Sequence, residues 1–182
     1  RIVVQGELVH NNAVTLRANV APHLVGNFFT INLGAARAAF EQVPWVRNAQ
    51  VRREFPRTLH VLLQEHHAVA HWGSEADTTL VNRSGEVFEA NADSELDGLP
   101  RLSGPVGQSL QVLQMLELLG PVFAPMGMEI AALELSGRGG WRATLEGGAV
   151  VELGGGEPAQ VVQRTQRFLR TLTQLTAQYQ RR

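Results

Sequence analysis

His67 and His71 stand four residues apart, the spacing at which a helix would offer two imidazoles to one metal ion. The flanking sequence is strand-like, however. On a strand, residues four apart share a face but lie about 13 Å apart between Cα atoms. No third ligand completes a set, so the pair reads as polar histidines at a domain junction and no metal site is expected. Ser74, Ser84, Ser94, Ser103, Ser109 and Ser136 are not framed by the Gly-x-Ser-x-Gly elbow that would raise a hydroxyl into a nucleophile. Asp77, Asp93 and Asp97 are scattered and do not match a calcium loop. Gly154-Gly155-Gly156 falls between a strand and a helix, as a phosphate loop would. It lacks the Gly-Lys-Ser/Thr ending and the Gly-x-Gly-x-x-Gly pattern, and reads as a tight turn. No catalytic residue and no cofactor are expected, and an enzyme is not expected.

Arg47, Arg52, Arg53 and Arg57 form the one basic cluster. Glu54 and Glu65 lie close to it and no aromatic platform interleaves with it, so nucleic-acid binding is not expected. Two readings stand: a solvated strand face, or a docking surface for a partner. The formal charge of −1 gives no global pull toward nucleic acid or anionic lipid. The absence of cysteine excludes a disulfide framework and a thiolate metal site. No apolar run approaches the roughly 20 residues that span a bilayer. The chain opens at Arg1 without an initiator Met and runs straight into a strand, so a piece of a longer protein is expected.

The elements that would position these residues divide into two groups, as 182 residues allow. Ile2–Gln5 reads as a strand. Asn11 or Asn12 caps a helix over Ala13–Ala21, which Pro22 ends. Gly26-Asn27 is a turn, and Phe28-Phe29-Thr30-Ile31 reads as apolar and extended. A second helix runs from about Leu33 to Val43, with Ala36, Ala39, Phe40 and Val43 on one face. Strands follow at Val46–Phe55 and Thr58–His66. Beyond Glu65 come short strands at Ala68–Trp72, Thr79–Asn82 and Glu86–Phe88, an irregular Leu99–Pro105, and a helix over Ser109–Leu119. A meander follows at Ile130–Leu135, Trp141–Leu145 and Ala149–Leu153, its turns marked by glycines. The last element is an amphipathic helix over Glu157–Tyr179, with Val161, Thr165, Phe168, Leu172, Leu175 and Tyr179 on a stripe expected to be mostly core. Trp45, Trp72 and Trp141 are expected to fill cores, Trp45 by anchoring the second helix against the sheet.

Pro44-Trp45-Val46, Val51-Arg52-Arg53, Pro56, Thr58-Leu59, Val61 and Glu65 follow one another in a pattern that resembles the POTRA domain of the FtsQ/DivIB family of bacterial division proteins. The second half resembles the same family through Ala70-His71-Trp72, Leu80-Val81-Asn82, Gly85-Glu86-Val87-Phe88, Leu99-Pro100 with Leu102-Ser103-Gly104-Pro105-Val106-Gly107, and Arg138-Gly139-Gly140-Trp141 with Leu153-Gly154. The resemblance implies an α+β chain. Residues 1–67 would be a POTRA domain of order β-α-α-β-β, and residues 68–182 a β-rich domain with a meander sheet and packed helices. The family's final strand segment would follow the last helix and is absent from this sequence.

The resemblance further implies a non-enzymatic scaffold of the divisome acting in septum formation. It would be the periplasmic domain of a single-pass inner-membrane protein, reaching the membrane only through a transmembrane helix before Arg1. FtsB and FtsL are the implied partners of the β domain, gathered by β-augmentation. FtsK, FtsW and other divisome proteins are implied for the POTRA domain. Carried over residue by residue, the POTRA recruitment patch falls on Leu33, Asn48, Val51 and Arg53. The FtsB contact falls on Arg138 and on the long helix near Thr171 and Leu175. Arg53 is expected to dock a partner and to matter little for stability. The rival reading is a POTRA-type periplasmic module of outer-membrane protein assembly or secretion. Such proteins carry several POTRA units and then long alternating strands, and only one unit is legible in this chain.

Overall fold

A computed structural model describes residues 1–91 and 96–180; the candidates Asp93 and Ser94 lie outside them. The chain separates into two compact units, one comprising Arg1–His67 with Phe88–Asn91, the other Ala68–Val87 with Ala92–Arg182.

In the first unit, strand β1 (Ile2–Gly6) is followed by helix α1 (Ala13–Val20), whose capping Asn12 side chain accepts from the Val14 N–H at 2.8 Å. Leu16 and Val20, four apart, are its buried face. Helix α2 (Leu33–Glu41) is capped in the same way by Asn32, which accepts from the Ala35 N–H at 3.1 Å, and buries Ala36 and Phe40. Strands β2 (Val46–Glu54) and β3 (Thr58–Glu65) pair antiparallel, and β1 joins β3 in parallel, giving the order β1-β3-β2. Val46 and Ala49 are both buried though three apart, which period-2 alternation forbids. A bulge between Val46 and Asn48 resolves this. After it, Ala49, Val51 and Arg53 face the helices, while Asn48, Gln50 and Arg52 share the opposite face. Gly6 has φ +115°, and a Cβ there would lie 2.2 Å from the Leu63 carbonyl oxygen, so only glycine lets β1 end so close to β3.

Glu65, the last residue of β3, is a buried carboxylate. It accepts from the backbone N–H of Val9, from that of His10 at 3.0 Å and from the Asn11 side-chain amide at 3.0 Å, holding the β1–α1 loop. Trp45 is buried as expected, but its surroundings differ from expectation. Phe40 and Ala36 anchor α2, while the indole stacks on His10 at 3.6 Å between ring centroids and meets Phe88 edge-on at 5.3 Å. Trp45 adopts φ +73°, the left-handed region, because the chain must reverse sharply from α2 into β2. Phe88 also stacks on His66 at 4.0 Å, which explains why Phe88–Asn91 belongs with this unit. Phe28–Thr30 is a turn and not the extended segment the apolar run suggested. The Asn27 side chain accepts from the N–H groups of Phe29 at 2.9 Å and Thr30 at 3.1 Å, and this local bonding outcompetes extension.

Strands β4 (Ala68–Trp72), β5 (Thr79–Asn82) and β7 (Arg101–Ser103), with the short β6 (Val87–Glu89), of which only Val87 belongs to the second unit, precede helix α3 (Ser109–Phe123). Strands β8 (Ile130–Leu135), β9 (Trp141–Leu145) and β10 (Val150–Gly154) and helix α4 (Pro158–Gln180) follow. The seven-stranded sheet runs β10-β9-β8-β7-β4-β5-β6. The segment expected to be irregular contributes β7, parallel to both β4 and β8, with Leu102 fully buried between them. Its flanking prolines hide a strand that its neighbours impose. α3 continues past Leu119 through Pro121, because Phe123 is fully buried and holds the last turn. Both helices pack on the core of Leu133, Leu135, Trp141 and Leu153, and Trp72 is half-buried against it.

The stripe read on the last helix is only partly core. Val161, Thr165 and Leu169 are its buried row, whereas Phe168, Leu175 and Tyr179 are exposed. The buried row ends at Leu169, and the described residues beyond it include no buried side chain, so the apolar positions of the last turns lie past the part of the helix that the core covers.

Candidate partner-binding surfaces

The first surface is built on β2, one of the two edge strands of the three-stranded sheet. The register pairs Asn48 with Gln64, Gln50 with Leu62 and Arg52 with His60. The Ala49 N–H turns away from β3 and donates to the Glu41 carboxylate at 3.2 Å. By alternation, the backbone groups of Val51 and Arg53 also face outward. Glu41 is further bonded to Arg37 Nε at 2.9 Å, and this bond, helped by the Ala49 N–H, holds its carboxyl below the usual range against a desolvation that raises it. One rung of the open edge is thus filled by a side chain of the unit's own helix, which limits strand addition there.

The four predicted residues do not share one face. Val51 is half-buried against the core, and Arg53 extends along the same face to the loop before α2. Arg53 donates from Nε to the Phe28 carbonyl at 3.1 Å and from Nη2 to the Ile31 carbonyl at 2.5 Å, two residues short of half-buried Leu33. Asn48 lies on the open sheet face, beside a shallow depression of about 360 Å³ lined with Gln50, Leu62 and Gln64. The structure therefore groups Val51, Arg53 and the start of α2, and sets Asn48 apart. Arg53 also clamps a loop, which corrects the expectation that it contributes little to the fold.

The second surface is in the other unit. Arg138 is exposed in the β8–β9 turn, where the Ser136 N–H donates to the Gly140 carbonyl at 2.8 Å. This turn touches the β10–α4 turn: a Cβ on Gly155 would lie 3.0 Å from the Gly139 carbonyl oxygen. Arg164 fastens the β10–α4 turn by donating to the carbonyls of Leu153 at 2.5 Å and Gly155 at 3.1 Å. Thr171 and Leu175 are exposed farther along α4. At 1.5 Å per residue they lie about 20 and 26 Å beyond Pro158. Arg138 is thus not brought together with them, and a ligand touching all three must be long. On the sheet, Arg142 Nε bonds Glu152 at 2.6 Å, with Glu134 opposite Arg142 on the other side. The Glu152 bond, then the charges of Glu152 and Glu134, raise the Arg142 pKa. β10 is the end strand of the sheet.

Other side chains that suggested chemistry are accounted for. His67 Nε2 lies 3.3 Å from a Glu7 carboxylate oxygen, and His71 Nε2 lies 2.7 Å from the Leu96 carbonyl. Asp77 accepts from the Ser74 N–H at 2.8 Å and its hydroxyl at 3.0 Å, which closes a turn and lowers its pKa. Among the described residues, no three His, Cys, Asp or Glu side chains converge as a metal site, and no helix is long and apolar enough to cross a membrane. Sequence reasoning misses the exposed aromatics Phe29 and Phe55, which read as part of an apolar, extended segment and as the end of a strand. Their signal was adjacency to Gly26-Asn27 and Pro56, which mark turns.

Comparison with known proteins agrees with this architecture. Residues 1–66 match the family described as POTRA domain, FtsQ-type, and residues 70–181 match Cell division protein FtsQ/DivIB, C-terminal. The chain is 41% identical over 183 aligned residues to the cell division protein FtsQ of Thiomonas arsenitoxydans, covering 98% of this chain and 66% of that protein. It is 43% identical over 154 residues to the FtsQ of Burkholderia pseudomallei, covering 84% of this chain and 60% of the relative. With the FtsQ of Bordetella pertussis it shares 39% identity over 150 residues, covering 81% and 54%. The chain therefore spans less than two thirds of the length of these relatives. An FtsQ-type POTRA domain of two helices on a three-stranded sheet, followed by a sheet-rich domain that carries the FtsQ/DivIB signature, places the chain in the FtsQ/DivIB family of cell division proteins.

Proposed function

We propose that this chain is the periplasmic part of a non-enzymatic scaffold of the bacterial division machinery, anchored in the inner membrane by a segment preceding Arg1. Its second unit binds FtsB together with FtsL, and its first unit recruits FtsK, FtsW or other division proteins through Val51, Arg53 and the start of α2. The observation that carries the reading is the position of β10 at the end of the seven-stranded sheet, in a unit matched by the FtsQ/DivIB C-terminal family. The family's final strand would add to this end of the sheet and present the edge that a partner strand extends, with rim side chains such as Arg138 selecting it. The same match speaks against a module of outer-membrane assembly.

The test is a titration of labelled FtsB-derived peptide against the 182-residue chain, a version extended through the family's final strand, and that version carrying Arg138→Glu. The extended form should bind more tightly, and Arg138→Glu should weaken it again. Equal affinity for all three would refute both strand addition and the role of Arg138.

A further inference from the structure

Three aromatic rings cluster at one end of the first unit. Phe28 meets Phe29 edge-on at 5.1 Å and Phe55 edge-on at 5.7 Å. Phe29 is 70% exposed and Phe55 77%, and Val25 of the same loop is 85% exposed. Such an apolar cluster in water is unfavourable unless something covers it. The rings sit on two turns, the 28–30 turn and the β2–β3 turn at 55–57, which Arg53 joins by its bonds to the Phe28 and Ile31 carbonyls. The cluster is therefore held in place and is not a pair of loose loop tips.

Its surroundings are cationic. Arg52, Arg53 and Arg57 are exposed at this end, with Glu54 as the acidic residue among them. Among the described residues, Arg52 and Arg57 make no ion pair. Arg1 lies beside them: its backbone nitrogen donates to the Arg57 carbonyl at 2.9 Å, and the Leu59 N–H donates to the Arg1 carbonyl at 2.8 Å. Exposed aromatics with an exposed arginine two residues along the same turn match the chemistry of an anionic bilayer surface, where rings enter the headgroup layer and guanidinium groups meet lipid phosphate.

We propose that Phe28, Phe29, Phe55 and Arg57 form a lipid-headgroup contact that seats this end of the first unit on an anionic bilayer. The proposal takes one thing from the scaffold reading, that a membrane segment precedes Arg1. A segment leaving at Arg1 starts beside Arg57, so the aromatic turns would be held next to the bilayer and would limit how far the unit tilts from it.

The test is co-flotation of the 182-residue chain with phosphatidylglycerol vesicles and, separately, with phosphatidylcholine vesicles. Binding is expected to the anionic vesicles, and to fall steeply as salt rises from about 0.05 M to about 0.5 M. The double variant Phe29→Ser, Phe55→Ser should lose roughly tenfold or more, since both side chains would lose apolar burial. Arg57→Ala should lose about fivefold and Arg57→Glu more, as each cation at the surface carries about that factor. Both sites are exposed, and circular dichroism melts should match the parent chain. No binding to anionic vesicles at low salt would overturn the proposal, as would undiminished binding of the double variant or equal binding to phosphatidylcholine. No division protein is present in this assay, so its failure leaves the scaffold reading standing, and loss of septal recruitment in cells would leave the vesicle result standing.

Discussion

Replacing Trp45 tests two features of the first unit at once. The indole is 7% exposed, so truncation to alanine removes nearly all of a large buried aromatic. A tryptophan buries about 150–250 Å², or roughly 4–6 kcal/mol at 25 cal/mol per Å². A compact unfolded chain reduces that figure, and Trp45→Ala should destabilise by about 3–5 kcal/mol. The backbone adds a second comparison. At φ +73° a side-chain-bearing residue costs about 1–2 kcal/mol that glycine does not. Glycine loses about 0.5–1 kcal/mol more chain entropy than alanine. Trp45→Gly should therefore be about 0.5–1 kcal/mol more stable than Trp45→Ala, the reverse of the order at an ordinary helix or strand position. With two compact units a single melting midpoint is ill-defined. The appropriate measurement is native-state hydrogen exchange of β2 and β3 amides across a urea series. Wild-type protection in Trp45→Ala would mean the ring is not buried. An alanine variant more stable than the glycine variant would disprove the left-handed backbone.

Arg53→Ala should lower the stability of the first unit by about 1 kcal/mol through loss of its two bonds to the loop, and Arg53→Lys should restore little of it, because a point charge cannot span both carbonyls; an unchanged exchange profile in the 27–31 loop would remove the clamp. Glu65→Ala should cost about 2–3 kcal/mol, because three donors of residues 9–11 lose their acceptor at a buried site, and a change below about 0.5 kcal/mol in urea would contradict it. Glu41 has a depressed folded pKa, so its contribution is fully present above the unfolded value near pH 4.3 and lost as pH falls through the lower folded value. Parent and Glu41→Gln should accordingly converge in stability on acidification below about pH 4, and parallel pH profiles would show that Glu41 is not engaged.

The helical and strand order of the first unit was legible because its signals are local. Asn11 or Asn12 caps, Pro22 and Pro44 stop, and Ala36 with Phe40 gives a helical period. What escaped was set by distant partners. β7 exists because β4 and β8 flank it, and three residues between prolines carry no periodic signal. The exposed half of α4 escaped because a stripe at helical spacing looks the same whether or not a sheet extends beneath it. The candidate sites were legible only through family resemblance. Alternation along β2 already sets Asn48 on the face opposite Val51 and Arg53; what spacing could not show is that Val46 joins Ala49 in the core, because the bulge before Asn48 resets the alternation. Nor could it show that Arg138 lies at the opposite end of α4 from Leu175.

The bond between Glu65 and the loop at Val9 joins residues 56 positions apart, and the β1–β3 pairing spans a similar distance. This has a kinetic consequence. A chain produced from its N-terminus presents Ile2-Val3-Val4 long before Leu59 and Val61 exist to pair with them. Closing a loop of that size costs roughly 3–4 kcal/mol of chain entropy before any contact repays it. The first unit should therefore gain little order until its last strand is complete, and then form in one late step at the slow pace of non-local topologies. A chain interrupted before β3 would leave an apolar strand waiting with both edges open.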